Sequence, residues 1–481
     1  MSCLGSMHIA QKNEAAPQRS PGRSFVGAWL LLAAWMLVVW LALFNAPRHS
    51  GPAATGPTNN VASLNSQPVS AVGRKPRIVL RGVSTEPAPT AEQIVAGKVR
   101  QFGRNRRELV RAVARRSEKV VPTEVEKFFD AIEAGQWEEI KAQWDVLATH
   151  SGQYDYSTNH WEQLNPFWPA VLDAYGVAEQ AHLWPAQQLL DYGNAILGSL
   201  KPGMVYVGGT DNGRWIPELL NETAEGEQHM IVTQNALADS RYLDFVNTLY
   251  SDHMATLTSE DSQGAFQAYV AEAQKRFEHD QQFPDEPKQV RPGEDLKMVD
   301  GKLQVSGQVA VMSINELLLQ TLMQKNPELS FAIQESFPLK GTYPNAVPLG
   351  PLMQLNATDP ITADQAGQSV QYWQTAAQQA LADPATANSE PALRSYSHDA
   401  NSAANLLAAH NFTSEAEQAY GVAAQLYPGN PEPVNGLADL LVKNGQQDQA
   451  RQLLQDFGRR YPDQQKFLER SPTWILLIGN H

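Results

Sequence analysis

The longest apolar run in the chain is residues 25–44, FVGAWLLLAAWMLVVWLALF, twenty positions without a charge or a proline. At about 1.5 Å per residue a helix of that length covers the ~30 Å hydrocarbon core of a bilayer, so the pattern predicts one transmembrane helix. A cleaved signal peptide would have an apolar core of only about 7–15 residues behind a compact basic start. Here a 24-residue tail precedes the run, which favours an uncleaved anchor. Residues 45–90 are dominated by Ala, Pro, Gly, Ser, Asn and Val without apolar period, the composition of a flexible linker. In residues 91–120, Ile94, Val95, Val99, Phe102, Leu109, Val110 and Val113 recur at spacings that partly fit a helix, with arginine over the other faces.

Residues 121–200 read as helical hairpins. A first helix breaks at Gly135, and a second carries Ile140, Trp144 and Leu147 on one side. Helices continue to Lys201-Pro202-Gly203, where the character changes. MVYVGG and HMIVTQNAL are short apolar runs separated by a helix at about 215–222, and SRYLDFVNTLY follows as another helix. That strand–helix–strand–helix rhythm predicts a Rossmann-like α/β domain with a parallel sheet over residues 201–357. Within it Asp300-Gly301 sits between two alternating runs as a hairpin turn. SINELLLQTLMQKNP is a helix ending at Asn326-Pro327, and LSFAIQES and PLMQLN supply two more strands.

Residues 358–481 are helical and repetitive. Offsetting the chain by 34 residues sets Ala404 on Ala438, Leu407 on Leu441, Ala416 on Ala450, Tyr420 on Leu454, Ala423 on Phe457 and Pro428 on Pro462. That period, with small residues at the helix crossing and proline after the second helix, resembles the tetratricopeptide repeat over residues 397–464. The resemblance implies a helical groove that holds a protein or peptide partner. The first copy has Asn411 where the turn glycine usually sits, whereas the second has Gly445. Two copies are fewer than the ~3 a stable stack needs, so the helices before Ser397 or the hairpin at 125–148 are expected to brace it.

Charge then places the parts. Residues 1–73 carry a net +3, 74–120 a net +9 and 121–481 a net −26, for an overall −14. The acidic body repels nucleic acid, which is excluded as a partner. Lys12, Arg19 and Arg23 precede the apolar run and only Arg48 follows it closely. This bias puts residues 1–24 in the cytoplasm and the body outside a bacterial inner membrane, as a single-pass protein. The basic stretch 98–119 has two readings: a patch on anionic lipid, at roughly 1 kcal/mol per basic residue, or a helix that packs on the acidic body. The second is slightly favoured. One cysteine, Cys3, excludes an intrachain disulfide and a cysteine metal cluster.

Candidate chemistry centres on GGTDNGR, residues 208–214. Gly208 and Gly209 allow close backbone approach at a strand end, Asp211 or Asn212 can cap the next helix, Asp211 can alternatively serve as metal ligand or base, and Arg214 can reach an anion such as phosphate. The glycine spacing is neither a dinucleotide fingerprint nor a triphosphate loop, and no cofactor or metal is called for. KPGMVYVGGTDNGRWIPELL with HMIVTQNALADSRYLDFV resembles the soluble segment of bacterial multi-spanning proteins similar to protein O-mannosyltransferases, and also single-anchor bacterial proteins with repeats at one end. The resemblance spans roughly 200–356. It departs at Gly213, where that turn has a second acid, and in lacking the many membrane helices, so it implies the accessory domain and not mannosyl transfer itself. Glu278-His279-Asp280 reads as a solvated charge run rather than a metal site. Trp161, Trp168, Trp184 and Trp215 could form a sugar-stacking face but fit a core better. Two functions follow: a membrane-anchored extracytoplasmic scaffold binding a protein through its repeats, or a domain binding or processing an envelope glycan or nucleotide sugar at the 208–214 edge.

Overall fold

The computed structural model describes residues 88–150, 161–209, 211–299, 301–469 and 471–478. The expected tail 1–24, the span 25–44 and nearly all of the linker 45–90 lie outside the described residues. Among the described residues, no helix is long and apolar enough to cross a membrane.

Helix α1 (Ala91–Ser117) starts at a capping box in which Gln93 N–H donates to Thr90 Oγ1 at 3.3 Å and Thr90 N–H to Gln93 Oε1 at 2.9 Å. Its apolar stripe, Val95, Val99, Phe102 and Val110, is buried. Gly103 lets it approach helix α2 (Thr123–Ala134) closely, since a Cβ there would lie 2.4 Å from Ile132 Cγ2. Gly135 ends α2 with φ 70°, and α3 (Trp137–His150) returns. After the short α4 (Trp161–Leu164), helices α5 (Trp168–Leu183) and α6 (Ala186–Ser199) complete the layer. Trp144 locks α3 to α5, with its ring 4.0 Å from that of Tyr175 and 5.1 Å from that of Trp168. Trp168, Trp184 and Trp215 are all buried in the core, so none forms a sugar-stacking face, and the side chain of Trp161 lies outside the described residues.

The central sheet takes shape from β1 (Val205–Gly208), α7 (Asn212–Glu222), β2 (Ile231–Thr233), α8 (Ser240–Tyr250), α9 (Ser259–Gln282), β3 (Asp295–Val299), β4 (Lys302–Ser306), α10 (Gln308–Lys325), β5 (Phe331–Ile333), β6 (Val347–Leu349) and β7 (Leu352–Leu355). Its order is β2-β1-β5-β7-β6. β1 runs parallel to β2 and β5, but β7 and β6 are antiparallel. The sheet is therefore mixed, not parallel throughout as expected. β6 joins β7 through a tight reversal at Gly350, whose φ of 58° an L side chain rarely adopts. Strands β3 and β4 pair as a separate two-stranded ribbon. Val205, Tyr206 and Val207 are fully buried, which is why β1 reads as one apolar run.

The helical third contains α11 (Ala363–Ala382), α12 (Pro384–Ala387), α13 (Glu390–Ala409), α14 (Thr413–Leu426), α15 (Pro431–Lys443), α16 (Gln447–Arg460), α17 (Gln465–Leu468) and α18 (Pro472–Leu477). The two copies are α13–α14 and α15–α16, and Ala404, Ala416, Ala438 and Ala450 are fully buried where their helices cross. Tyr420 packs in the same core, and Pro428 and Pro462 follow the C-caps Tyr427 and Tyr461. The brace is α11, whose Trp373, Ala377 and Ala380 pack against Ala400, Val422 and Ala423. The α2–α3 hairpin packs elsewhere, on α1 and α5. Leu468, Trp474 and Leu477 close the other side of the second copy.

The turn residues of the two copies share one conformation: Asn411 has φ 65° and Gly445 φ 78°. Asparagine tolerates this left-handed region, and most side chains do not. Asn411→Gly is expected to be neutral within about 0.5 kcal/mol, while Asn411→Ala and Gly445→Ala each cost about 1 kcal/mol by urea denaturation.

Candidate functional site

The C-terminal end of β1 lies where the connections diverge, to β2 on one side and β5 on the other, which in open α/β sheets is where ligands bind. Here two of the three glycines are demanded by a single side chain. A Cβ on Gly209 would lie 2.7 Å from Gln334 Oε1 and one on Gly213 1.9 Å from it, while Gly209 N–H donates to that oxygen at 3.2 Å. Gly208 meets the turn's far side, where a Cβ would sit 2.7 Å from Gly213 O, and that oxygen accepts from Tyr206 Oη at 2.5 Å. Thr210 lies outside the described residues.

Asp211 is buried at φ 57° and ψ −123°, a backbone conformation that costs a non-glycine residue about 1–3 kcal/mol. Its side chain makes no cap bond. The helix is started instead by its carbonyl, which accepts from Trp215 N–H at 2.8 Å and Arg214 N–H at 3.1 Å. Near it on α5 is Glu179, which accepts from Tyr175 Oη at 3.1 Å. Burial pushes the Glu179 carboxyl up to about 7, and the charge of Asp211 adds to the rise. Asn212 does not cap either: its Nδ2 donates to Tyr192 Oη at 2.8 Å.

Arg214 does reach an anion, but one belonging to the same chain. It is buried, paired to Asp173 Oδ1 and, at 3.1 Å, to Glu218 Oε1. Arg106 approaches the other Asp173 oxygen at 3.4 Å and pairs with Glu222. Three more basic residues of α1 are held by the body. Arg107 pairs with Glu126, Asp130 and Glu133 at 2.7, 2.7 and 2.9 Å, Arg111 with Glu126 at 3.0 Å, and Lys98 Nζ donates to Thr223 O and Oγ1, both at 3.1 Å. This stretch packs on the acidic body.

What covers the glycine turn is the repeat region. Asp399 on α13 accepts from Gln334 Nε2 and, at 2.9 Å, from Tyr192 Oη, the two side chains that hold Gly209 and Asn212. His398 beside it has Nδ1 2.8 Å from Glu432 Oε2 and Nε2 2.8 Å from Glu335 O. Two acceptors on one ring select the imidazolium: burial pulls its pKa down, and the Glu432 carboxylate outweighs that, holding it at about 9. Burial pushes Asp399 up to about 6 and Glu335 up to about 7, the latter against hydrogen bonds from Tyr343 Oη at 2.7 Å and Leu339 N–H at 3.3 Å. Between Gln334, Glu335, Ser369, Asp399 and Ser402 is a cavity of about 10 Å³, room for a single water. Sequence reasoning passed over Asp173, Asp399 and Glu335. Its one available signal was an acid set in an apolar or small-residue helical stretch, AVLDAYG and SHDANSAA.

Elsewhere, Glu278, His279 and Asp280 do not converge: Asp280 accepts from Gln289 and Val290 N–H at 2.7 and 3.1 Å, and His279 faces Glu286 at 3.2 Å. Among the described residues no three potential metal ligands come together.

A tetratricopeptide repeat family model matches residues 398–468. No curated protein and no solved structure matches the chain, so the likeness of residues 200–356 to the O-mannosyltransferase-like proteins rests on its motifs alone. The chain therefore carries tetratricopeptide repeats, a class of stacked helices that bind other proteins.

The raised carboxyls have a thermodynamic sign. Glu335, Glu179 and Asp399 hold protons in the folded chain at a pH where the unfolded chain has lost them, so the stability they provide is lost as pH rises from about 4.5 through 7. The His398 contribution is complete below about 6.5 and is lost as pH rises through 9. Glu126 and Glu432, held below the ordinary range by their cationic partners, act oppositely and lose their contribution as pH falls below about 4.5. Thermal stability is expected to peak near pH 4.5–5 and to decline toward pH 9. Glu335→Gln, which mimics the protonated acid, should flatten the decline between pH 5 and 7 by about 2 kcal/mol, read by denaturation at each pH.

Proposed function

We propose that this protein is a membrane-anchored scaffold, held by residues 25–44 in a bacterial inner membrane with its body outside the cytoplasm, and that its repeat region binds a protein partner. The observation that carries the reading is the 34-residue repeat of α13–α16, matched by its family model over residues 398–468. The first copy already has an internal partner, because His398, Asp399 and His410, whose Nε2 lies 2.7 Å from Tyr343 O, seat α13 on the sheet edge. The external partner is therefore met by the second copy and the helices after it. Ile475 and Leu476 on α18 are 44% and 60% exposed, an apolar pair where a solenoid surface is ordinarily polar. Arg106, Arg107 and Arg111 of α1 are held by the body's own carboxylates, which supports the anchor rather than this part of residues 98–119 as the membrane contact.

The test is a pair of substitutions in the full-length chain, Ile475→Asp and Leu476→Asp, followed by in-cell cross-linking. Loss of a specific cross-linked partner by about tenfold or more with an unchanged Tm is expected. Retained cross-linking would remove α18 from the interface.

A second reading keeps the glycine turn as a glycan or nucleotide-sugar site, and the observation favouring it is the backbone of Asp211. Strain of this kind persists at binding and catalytic sites. Asp211→Gly should then raise stability by about 1–2 kcal/mol while abolishing thermal shifts induced by a panel of nucleotide sugars. An unstrained variant that keeps its ligand shifts, or a parent chain that shows none, would end this reading.

A further inference from the structure

A groove of about 580 Å³ opens between α1, α6 and α7, within the ~300–1,000 Å³ range of ligand-holding clefts. Its floor is aliphatic: Ile94, Leu190, Leu197 and Leu220. Lys98 stands in the wall with its ammonium on Thr223, and two carboxylates outnumber it, Glu227 in the lining and Glu225 exposed beside it on the segment after α7. The groove is thus apolar below and acidic at the rim. It wants a short aliphatic segment flanked by cations.

The chain carries one such segment immediately upstream. Residues 74–82 read RKPRIVLRG, and Ile78-Val79-Leu80 is the one run of three large aliphatic residues in the linker 45–90. Arg74, Lys75, Arg77 and Arg81 flank it. The first groove residue on α1, Ile94, lies one turn beyond the Thr90 cap. The ten residues from Leu80 to Thr90 reach up to about 33 Å, enough for the chain to double back over the first turns of α1. We infer that residues 74–82 dock in this groove, with Ile78, Val79 and Leu80 on the leucine floor and Arg77 and Arg81 against Glu225 and Glu227. Docking would leave residues 45–73, rather than 45–90, between the apolar run and the body. The body is then held nearer to its anchor. The docking itself needs neither functional reading above, and only its consequence for the anchor rests on the membrane reading.

The test uses the full-length chain in detergent with Cys3→Ser, which removes the only cysteine. Val79→Cys is paired with Asn194→Cys at the groove rim, and in a control with Lys297→Cys on the β3–β4 ribbon. Mild oxidation is expected to give an intramolecular disulfide with the first pair about tenfold faster than with the control. Equal rates, or disulfide-linked dimers alone, would overturn the docking, the latter by seating a second copy there. As an independent measurement, trypsin should cut after Arg77 and Arg81 about tenfold faster in Leu80→Asp than in the parent chain, and equal cleavage would likewise overturn it.

Discussion

A carboxylate without solvent exposure has to be neutralised, and in this molecule Asp173 is neutralised by two arginines from different elements, Arg106 on α1 and Arg214 on α7. Removing one partner from such a node costs about 3–5 kcal/mol, because the charge left behind stays buried. The arrangement therefore fixes more than a contact. It pins the basic helix to the acidic body, and it sets the direction in which α7 leaves the glycine turn, since Arg214 sits in that helix's first turn. Glu218 and Glu222 complete the node, giving three acids to two bases, and burial together with Asp173 pushes Glu218 upward. With a proton on Glu218 the node is neutral, as a water-excluded group of charges must nearly be. The Arg106 guanidinium also lies 4.3 Å from the Phe102 ring centroid, and that of Arg214 5.2 Å from the Tyr242 centroid, so both cations have aromatic faces as well as anions around them.

What the sequence made legible and what it hid divide along a physical line. Local periodicity was legible: α1 follows from its apolar spacing, β1 from an unbroken apolar run, and the repeat from a 34-residue period whose alanines are buried at both crossings. Pairings between distant side chains were not. The charge of Arg214 is visible in the sequence, but whether its anion is a ligand or Asp173 depends on how α5 lies over α7. The turn's glycines announced close approach without saying that Gln334 would be what approaches. The parallel order was read correctly as far as β5. The antiparallel return of β6 and β7 escaped because β6 is three residues long, and its Gly350 turn carries none of the usual hairpin dipeptides.

The repeat and the sheet are joined by polar contacts rather than by a purely apolar seam, and this makes the repeat and the glycine turn one mechanical unit. Glu432 belongs to the second copy, His398 to the first, and Glu335 to the strand end that also presents Gln334 to the glycine turn. Successive bonds of 2.8, 2.8 and 3.2 Å run along these groups from α15 to Gly209, interrupted only by the peptide between Glu335 and Gln334. A partner that shifts α15 pulls on an imidazolium whose other nitrogen is anchored to the sheet. Because the link is a single cation between two acceptors, it transmits position only while both of its N–H groups are present. Deprotonation would leave one acceptor facing another and turn attraction into repulsion at one of the two contacts. The buried setting that raises Glu335 and Asp399 beside it makes that repulsion costly, so the seat of α13 on the sheet depends on that proton.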